Sequence, residues 1–134
     1  MNGYAIGLDL RSTDDLIEHV KRGLPPSVFD LLRDELGLAA DTLADLAGVS
    51  TRTLARRKKK DQLLAPGTSE RLVRFARLYE IAAETLGGEE EARHWLKTPK
   101  VALGGHTPLD YADTELGARE VENLLGRLAY GVFT

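Results

Sequence analysis

The fold is decided by residues 42–56, which read TLADLAGVSTRTLAR. Apolar residues recur in this stretch at intervals of three and four, which favours helices. Gly48 falls between two such helices, because glycine tolerates the positive φ that a tight turn requires. Ala44 is small where the helices must approach each other, and Ser50 is placed to cap the second helix. The stretch therefore predicts a helix-turn-helix over about residues 41–60.

The rest of the chain also shows helical spacing of its apolar residues, so the sequence predicts an all-α fold. The side chains expected to face the core include Leu16, Ile17, Val28, Leu31, Leu32, Leu36, Trp95 and Leu96. Residues 63–68 read as a loop, and Ser69 is expected to start a long helix that runs to about Leu86. This loop divides the chain into an N-terminal helical region, residues 1–68, and a region that begins with the long helix, residues 69–134.

Positive charge is concentrated in one segment. The chain has a net charge of −3, but residues 52–77 contain nine basic and two acidic side chains. The segments on either side, residues 1–51 and 78–134, each have five more acidic than basic side chains. A basic segment within an acidic protein favours local binding of a polyanion, because the local field decides where a charged partner binds.

The helix-turn-helix assigns roles to the basic side chains. Arg52 and Arg56 are four residues apart and share a helix face, so we expect them to read bases in a major groove together with Ser50 and Thr51. Phosphate contacts are expected from Arg57, Lys58, Lys59, Lys60, Arg71 and Arg74. Arg57 stands where many such motifs bury an apolar residue, so the second helix is expected to be short or to turn outward there. The alternative, that residues 56–60 are only a solvated surface run, stays open.

Enzymatic and membrane functions are not indicated. The chain has no cysteine, and its three histidines are widely separated and belong to no spaced metal motif. No serine lies in a nucleophile elbow. We therefore expect no catalysis, no cofactor and no metal. The absence of a long apolar run and of a signal peptide predicts a protein of the cytoplasm.

The C-terminal half contains a pattern that resembles a known family. Residues 94–110 read HWLKTPKVALGGHTPLD, residues 113–118 read DTELGA and residues 124–133 read LLGRLAYGVF. Together they resemble the toxin-binding domain of Xre/MbcA/ParS-type antitoxins. The helix-turn-helix is similar to that of the same family, and the resemblance covers about residues 14–134. His106 stands at a variable position, and residues 111–112 depart from the usual pair of leucines.

The resemblance implies a partner and a second function. Members of the family pair with RES-domain toxins, which consume NAD⁺, and repress their own operons. The C-terminal end of the antitoxin approaches the active-site cleft of the toxin; here that end consists of Tyr130, Gly131, Val132, Phe133 and Thr134. Gly131 allows a bend, Phe133 offers an apolar anchor and the Thr134 carboxylate suits an arginine. In the alternative, Val132 and Phe133 pack back onto the last helix.

Two other functions stay open at this point. The first is a toxin-binding module that no longer binds DNA. The second is a transcription factor whose C-terminal domain only dimerises. Because operators usually present two half-sites, we expect a homodimer on operator DNA and a larger complex with the toxin.

Overall fold

The structure is a computed structural model that describes residues 13–131. Within that range every regular element is helical, which confirms the all-α prediction. The elements are α1 (Thr13–Arg22), α2 (Pro26–Leu36), α3 (Ala40–Ala47), α4 (Thr51–Lys59), α5 (Pro66–Leu86), α6 (Glu89–Leu96), a 3₁₀ turn (Val101–Leu103), α7 (Pro108–Tyr111) and α8 (Glu115–Ala129). None of the helices in residues 13–131 combines the length and the apolar composition needed to cross a membrane.

The chain divides into two compact units between Ala76 and Arg77, within α5. The boundary predicted from the sequence lies between residues 68 and 69, eight residues earlier. The later limit assigns the first half of α5 to the unit that contains the helix-turn-helix. The buried side chains of this N-terminal unit include Leu24, Val28, Phe29, Leu32, Leu36, Leu43, Ala44, Leu54, Leu64, Leu72 and Phe75.

Two predictions of buried side chains are wrong. Leu31 is 46% exposed and Ile17 is 45% exposed. In α2 the buried positions are Val28, Phe29, Leu32 and Leu36. These residues form one stripe along the helix, and Leu31 projects to one side of it. The core therefore contains Phe29, where the sequence predicted Leu31.

Ser69 does not start α5, which contradicts the sequence prediction. The helix begins at Pro66, a residue that suits the first turn because it lacks an N–H there. Ser69 is fully buried one turn further on. The backbone N–H of Leu24 donates to its Oγ at 2.9 Å, and that Oγ donates to the carbonyl oxygen of Ala65, also at 2.9 Å. Ser69 thus connects α5 to the segment between α1 and α2.

The C-terminal unit is built from the end of α5 and the helices that follow it. Its buried side chains include Leu78, Tyr79, Ala82, Ala92, Leu96, Leu103, Leu109, Ala112, Ala118, Val121, Leu124 and Leu125. Thr107 caps α7 by accepting a hydrogen bond from the N–H of Asp110 at 3.1 Å. Thr114 caps α8 in the same way, from the N–H of Gly117 at 3.1 Å. Leu96 is buried as predicted, but Trp95 is only half-buried.

Substitutions of Ser69 test its buried role. Replacing Ser69 with Ala leaves the N–H of Leu24 without its acceptor, so we expect a loss of about 1–3 kcal/mol in the free energy of unfolding. Ser69→Asp is expected to lower the free energy of unfolding by more than Ser69→Ala does, because it buries a carboxylate. If Ser69 were an N-cap, the same change would be tolerated, since Asp is among the best N-cap residues. Urea unfolding followed by circular dichroism measures both effects.

The same changes at Ser27 provide the control, because Ser27 is exposed in the first turn of α2. Both are expected to change stability by less than about 0.5 kcal/mol. If the Ser69→Asp protein is as stable as the wild type, Ser69 acts as an N-cap and the buried role is wrong.

Candidate functional site

A tight turn between α3 and α4 sets the direction of α4. Gly48 adopts the left-handed conformation with φ of 71°, and its N–H donates to the carbonyl of Asp45 at 3.2 Å. The N–H of Val49 donates to the carbonyl of Ala44 at 3.0 Å. These bonds satisfy the carbonyls at the end of α3. Gly48 and the following residues therefore form the predicted turn of the helix-turn-helix.

Ser50 caps α4, as the sequence predicts. Its Oγ accepts a hydrogen bond from the N–H of Thr53 at 3.0 Å and lies 2.9 Å from the Oγ1 of the same residue. A cap of this kind typically stabilises a helix by about 1 kcal/mol. The cap therefore helps to fix where the helix begins.

The two faces of α4 have opposite character. Leu54 is the buried residue of the helix and is 7% exposed. The surface of α4 that faces away from the core carries exposed residues, namely Thr51, Arg52, Ala55, Arg56 and Lys59. Three of them, Thr51, Ala55 and Lys59, also border a groove between α4 and α2 that Leu54 lines. The structure thus brings the predicted base-reading side chains Thr51, Arg52 and Arg56 onto one accessible surface, which we call the α4 face.

Ala55 was missed by the sequence analysis although it lies at the centre of the α4 face. Its side chain is a single methyl group between longer neighbours. The available signal was its spacing of four residues from both Thr51 and Lys59. Its small side chain leaves the backbone of α4 accessible at this point of the helix.

Two of the predicted phosphate ligands are bound within the protein. Arg57 is half-buried, and its guanidinium donates to the carbonyl oxygen of Leu63. The ammonium of Lys58 forms an ion pair with Asp30 of α2 at 2.7 Å. The helix continues past Arg57 to Lys59, so an arginine at the usual apolar position does not shorten α4. Lys59 and Lys60 are exposed, and in the described part of the chain they form no ion pair.

Arg71 and Arg74 of α5 have different surroundings. Arg71 lies over the turn, since a Cβ built on Gly48 would be 3.0 Å from its Nη1. Arg74 pairs with Glu70 at 2.5 Å, and its side chain is only 11% exposed. Arg71 is therefore close to the α4 segment, whereas Arg74 is largely enclosed.

The C-terminal unit contains a second, chemically different surface. Its large exposed apolar side chains are Val101, 98% exposed, Leu116, 75% exposed, and Tyr130, 88% exposed. Those of the described N-terminal unit are exposed by no more than 46%. Singly exposed apolar side chains are common on protein surfaces, and it is their number and degree of exposure that distinguish this unit from the N-terminal one.

A groove of about 410 Å³ lies beside Leu116. The residues that line it are His106, Asp110, Tyr111, Asp113, Thr114, Leu116, Gly117 and Glu120. The rings of His106 and Tyr111 are 6.1 Å apart and inclined by 40°. The charged side chains of this groove are acidic, in contrast to those of the α4 face.

Lys100 lies over the half-buried Trp95, with its Nζ 4.9 Å from the ring centroid. Desolvation by burial lowers the pKa of Lys100 below its ordinary value. The attraction of the ammonium to the face of the ring offsets part of the cost of this burial. Lys100 directly precedes the 3₁₀ turn that begins at Val101.

The predicted toxin-binding tail is described only in part. Tyr130 ends α8 as its C-cap, and Gly131 has a φ of 74°, a conformation suited to the predicted bend. Val132, Phe133 and Thr134 lie outside the described residues. The structure therefore gives no geometry for the anchor and carboxylate that the sequence analysis predicted there.

Comparison with known proteins assigns both units to one family. Residues 15–77 match a model described as the antitoxin Xre-like helix-turn-helix domain. Residues 82–131 match the antitoxin Xre/MbcA/ParS C-terminal toxin-binding domain. A protein of Yersinia enterocolitica named Antitoxin Xre is 34% identical over 130 residues, which cover 96% of this chain and 88% of the relative. The chain belongs to the Xre/MbcA/ParS antitoxin family.

Other relatives of this antitoxin extend the match. A Photorhabdus laumondii protein named Antitoxin Xre is 30% identical over 128 residues, 95% of this chain and 86% of the relative. A protein of Sphingobium sp. named Prs ADP-ribosylating antitoxin is 32% identical over 130 residues, 89% of this chain and 80% of the relative. The chain is thus an antitoxin of a toxin–antitoxin system, with a helix-turn-helix domain and a toxin-binding domain.

Two glycines of α8 in the antitoxin differ in what surrounds them. A Cβ built on Gly117 would lie 1.7 Å from the carbonyl oxygen of Tyr111, so this glycine allows α8 to pass directly against α7. A Cβ built on Gly126 would meet no heavy atom within 4 Å in the described part of the chain. Only the first glycine is required by the packing of the unit.

The two glycines therefore make a matched pair for mutation. Gly117→Ala forces α7 and α8 apart and is expected to destabilise the C-terminal unit by about 1–3 kcal/mol. Gly126→Ala is expected to stabilise it by up to about 1 kcal/mol, because alanine is the better helix former. Thermal unfolding measures both changes. Equal effects of the two substitutions would contradict the close contact at Gly117.

Proposed function

We propose that this antitoxin neutralises a RES-domain, NAD⁺-consuming toxin and represses its own operon through α4. The observation that carries the DNA-binding part is the α4 face, which presents exposed arginines and a lysine on a capped helix. In a chain with a net charge of −3, this concentration of exposed positive charge favours a polyanionic partner.

Base reading is proposed for Ser50, Thr51, Arg52 and Arg56. Arginine forms paired hydrogen bonds to guanine O6 and N7, and such a pair discriminates against other bases by about 1–3 kcal/mol. Thr51 lies at the first residue of α4, next to Arg52. Ser50 is exposed beside them, with its hydroxyl already bonded to Thr53.

Phosphate binding is proposed first for Lys59 and Lys60, which are exposed at the end of α4. Arg71 is the next candidate, because it lies beside the turn. Arg57, Lys58 and Arg74 remain in the proposed set, but each holds a bond within the fold. DNA would have to compete with those bonds, so we expect these three residues to contribute less.

The proposed repressor acts as a homodimer, because two half-sites one helical turn apart require two copies of α4. Together with the toxin it forms a larger complex in the cytoplasm. We propose that it acts by binding and not by catalysis, in keeping with the antitoxin names of its relatives.

Toxin binding is proposed for the tail, residues 130–134. Tyr130 supports this placement, since an aromatic side chain that is 88% exposed at the end of a helix offers a large apolar contact. The identity of the toxin as a RES-domain protein rests on the family resemblance. A RES-domain gene beside the antitoxin gene is the expected genetic arrangement.

Two arginine variants test the DNA-binding proposal. Arg52→Ala and Arg56→Ala are each expected to weaken operator binding by about 1–3 kcal/mol and to relax sequence preference. Fluorescence anisotropy with a duplex from the region upstream of the antitoxin gene measures the affinity.

Arg119→Ala is the matched control, because Arg119 is an exposed arginine on α8 in the other unit. Its operator affinity should equal that of the wild type. If both α4 variants bind as tightly as the control, α4 is not the reading helix.

A truncation after Tyr130 tests the tail. Removal of residues 131–134 is expected to abolish inhibition of the NAD⁺-consuming activity of the neighbouring toxin, because it removes the proposed apolar anchor. The melting temperature and operator affinity of the truncated antitoxin should match those of the full chain. Undiminished inhibition by the truncated protein would contradict a role for the tail.

A further inference from the structure

Gly126 lies in the last turn of α8, and no contact among residues 13–131 requires a glycine there. Its carbonyl accepts a hydrogen bond from the N–H of Tyr130 at 3.2 Å, so its backbone is that of an ordinary helical residue. A Cβ at this position would point into open space. Within residues 13–131, nothing occupies the place where a side chain would be.

Glycine in a helix interior is unfavourable compared with alanine, because the unfolded chain has more conformational freedom to lose. Where a close contact requires glycine, as at Gly117, the packing of the fold explains that choice. A residue that breaks a local preference without a gain in packing is expected at functional sites. Gly126 is such a residue.

We propose that the main chain of the toxin packs directly against α8 at Gly126. This inference rests on the proposed RES-domain partner and extends the contact from the tail onto the helix. Glycine is the residue that lets another backbone approach most closely, since no side chain holds it away. The position lies in the domain that matches the toxin-binding model, four residues before the exposed Tyr130.

The surroundings of Gly126 suit a polypeptide backbone. Asn123 and Tyr130 are three residues before it and four residues after it, so the three residues share one face of α8. Both are exposed. The amide of Asn123 can both donate to and accept from a main chain, and Tyr130 supplies an aromatic anchor.

The charge of this face distinguishes among occupants. Residues 78–134 contain ten acidic and five basic side chains, yet Asn123, Gly126 and Tyr130 carry no charge. The charged side chains beside them on α8, Arg119 and Glu122, have opposite signs, so this face has no excess of positive charge and does not favour nucleic acid. In the sequence it is followed at once by residues 131–134, the segment proposed to enter the toxin, so the toxin is the occupant we infer rather than a second antitoxin.

The experiment separates stability from binding. Gly126→Ala and Gly126→Leu are made in the full chain, and their affinity for the purified RES-domain toxin encoded beside the antitoxin gene is measured by calorimetry. The melting temperature of each free variant is measured in parallel. We expect both variants to melt at or above the wild-type temperature. Gly126→Ala should bind the toxin about tenfold more weakly, and Gly126→Leu more weakly still.

Gly67→Ala provides the control. Gly67 is also a helical glycine, in the first turn of α5, and a Cβ there would find its nearest atom at 3.8 Å. Its toxin affinity should be unchanged. Operator affinity should be unchanged in both Gly126 variants.

Three results would overturn the inference while leaving the proposed function in place. The first is wild-type toxin affinity in both Gly126 variants. The second is a lowered melting temperature of Gly126→Ala, which would show that the fold itself needs the glycine. The third is a changed oligomeric state of the free variants, which would place a second antitoxin on this face. Failure of the wild-type antitoxin to bind the toxin would contradict the proposed function and the inference together.

Discussion

The burial of Leu54 is the contact on which the proposed DNA-binding surface depends. It is the buried residue of α4, and the rest of that helix is polar, charged or small. With Leu54 in the core, the helical geometry turns Arg52, Ala55 and Arg56 away from the protein. The turn at Gly48 and the cap at Ser50 then determine where the helix starts. Loss of this contact would change the orientation of α4 but not its charge.

The polar bonds of α4 contribute to the same orientation. Arg57 is bonded to the backbone of Leu63, and Lys58 is paired with Asp30. Exposed ion pairs typically contribute only about 0–1 kcal/mol each, so these bonds do not replace the apolar contact. They do divide the basic segment into side chains that hold the helix in place and side chains that remain available to DNA.

The two units present surfaces of different chemistry. The N-terminal unit exposes cationic side chains on α4, which suits the phosphates and base edges of DNA. The C-terminal unit exposes apolar side chains in an acidic setting, which suits a protein. This separation accounts for the presence of a helix-turn-helix and a toxin-binding domain in one short antitoxin.

Local signals in the sequence were enough to predict most of the helices. The turn at Gly48 and the cap at Ser50 depend on neighbouring residues and were predictable. The roles of Ser69, Leu31 and Arg57 depend on distant segments and were not. The sequence around Ser69 is typical of a helix cap, but in the structure Ser69 accepts a hydrogen bond from the N–H of Leu24. The partner of Arg57 is the carbonyl of Leu63, which lies in the loop after α4. The phase of the buried stripe in α2 was likewise decided by packing, which selected Phe29 over Leu31.

The central claim is that α4 binds DNA through exposed positive charge, and the salt dependence of operator affinity tests it most directly. The antitoxin is titrated with its operator duplex over a series of salt concentrations. We expect log Kd to rise linearly with log salt, with a slope of at least about 2 per bound copy, the contribution of Lys59 and Lys60 alone. An affinity that does not change with salt would contradict the claim.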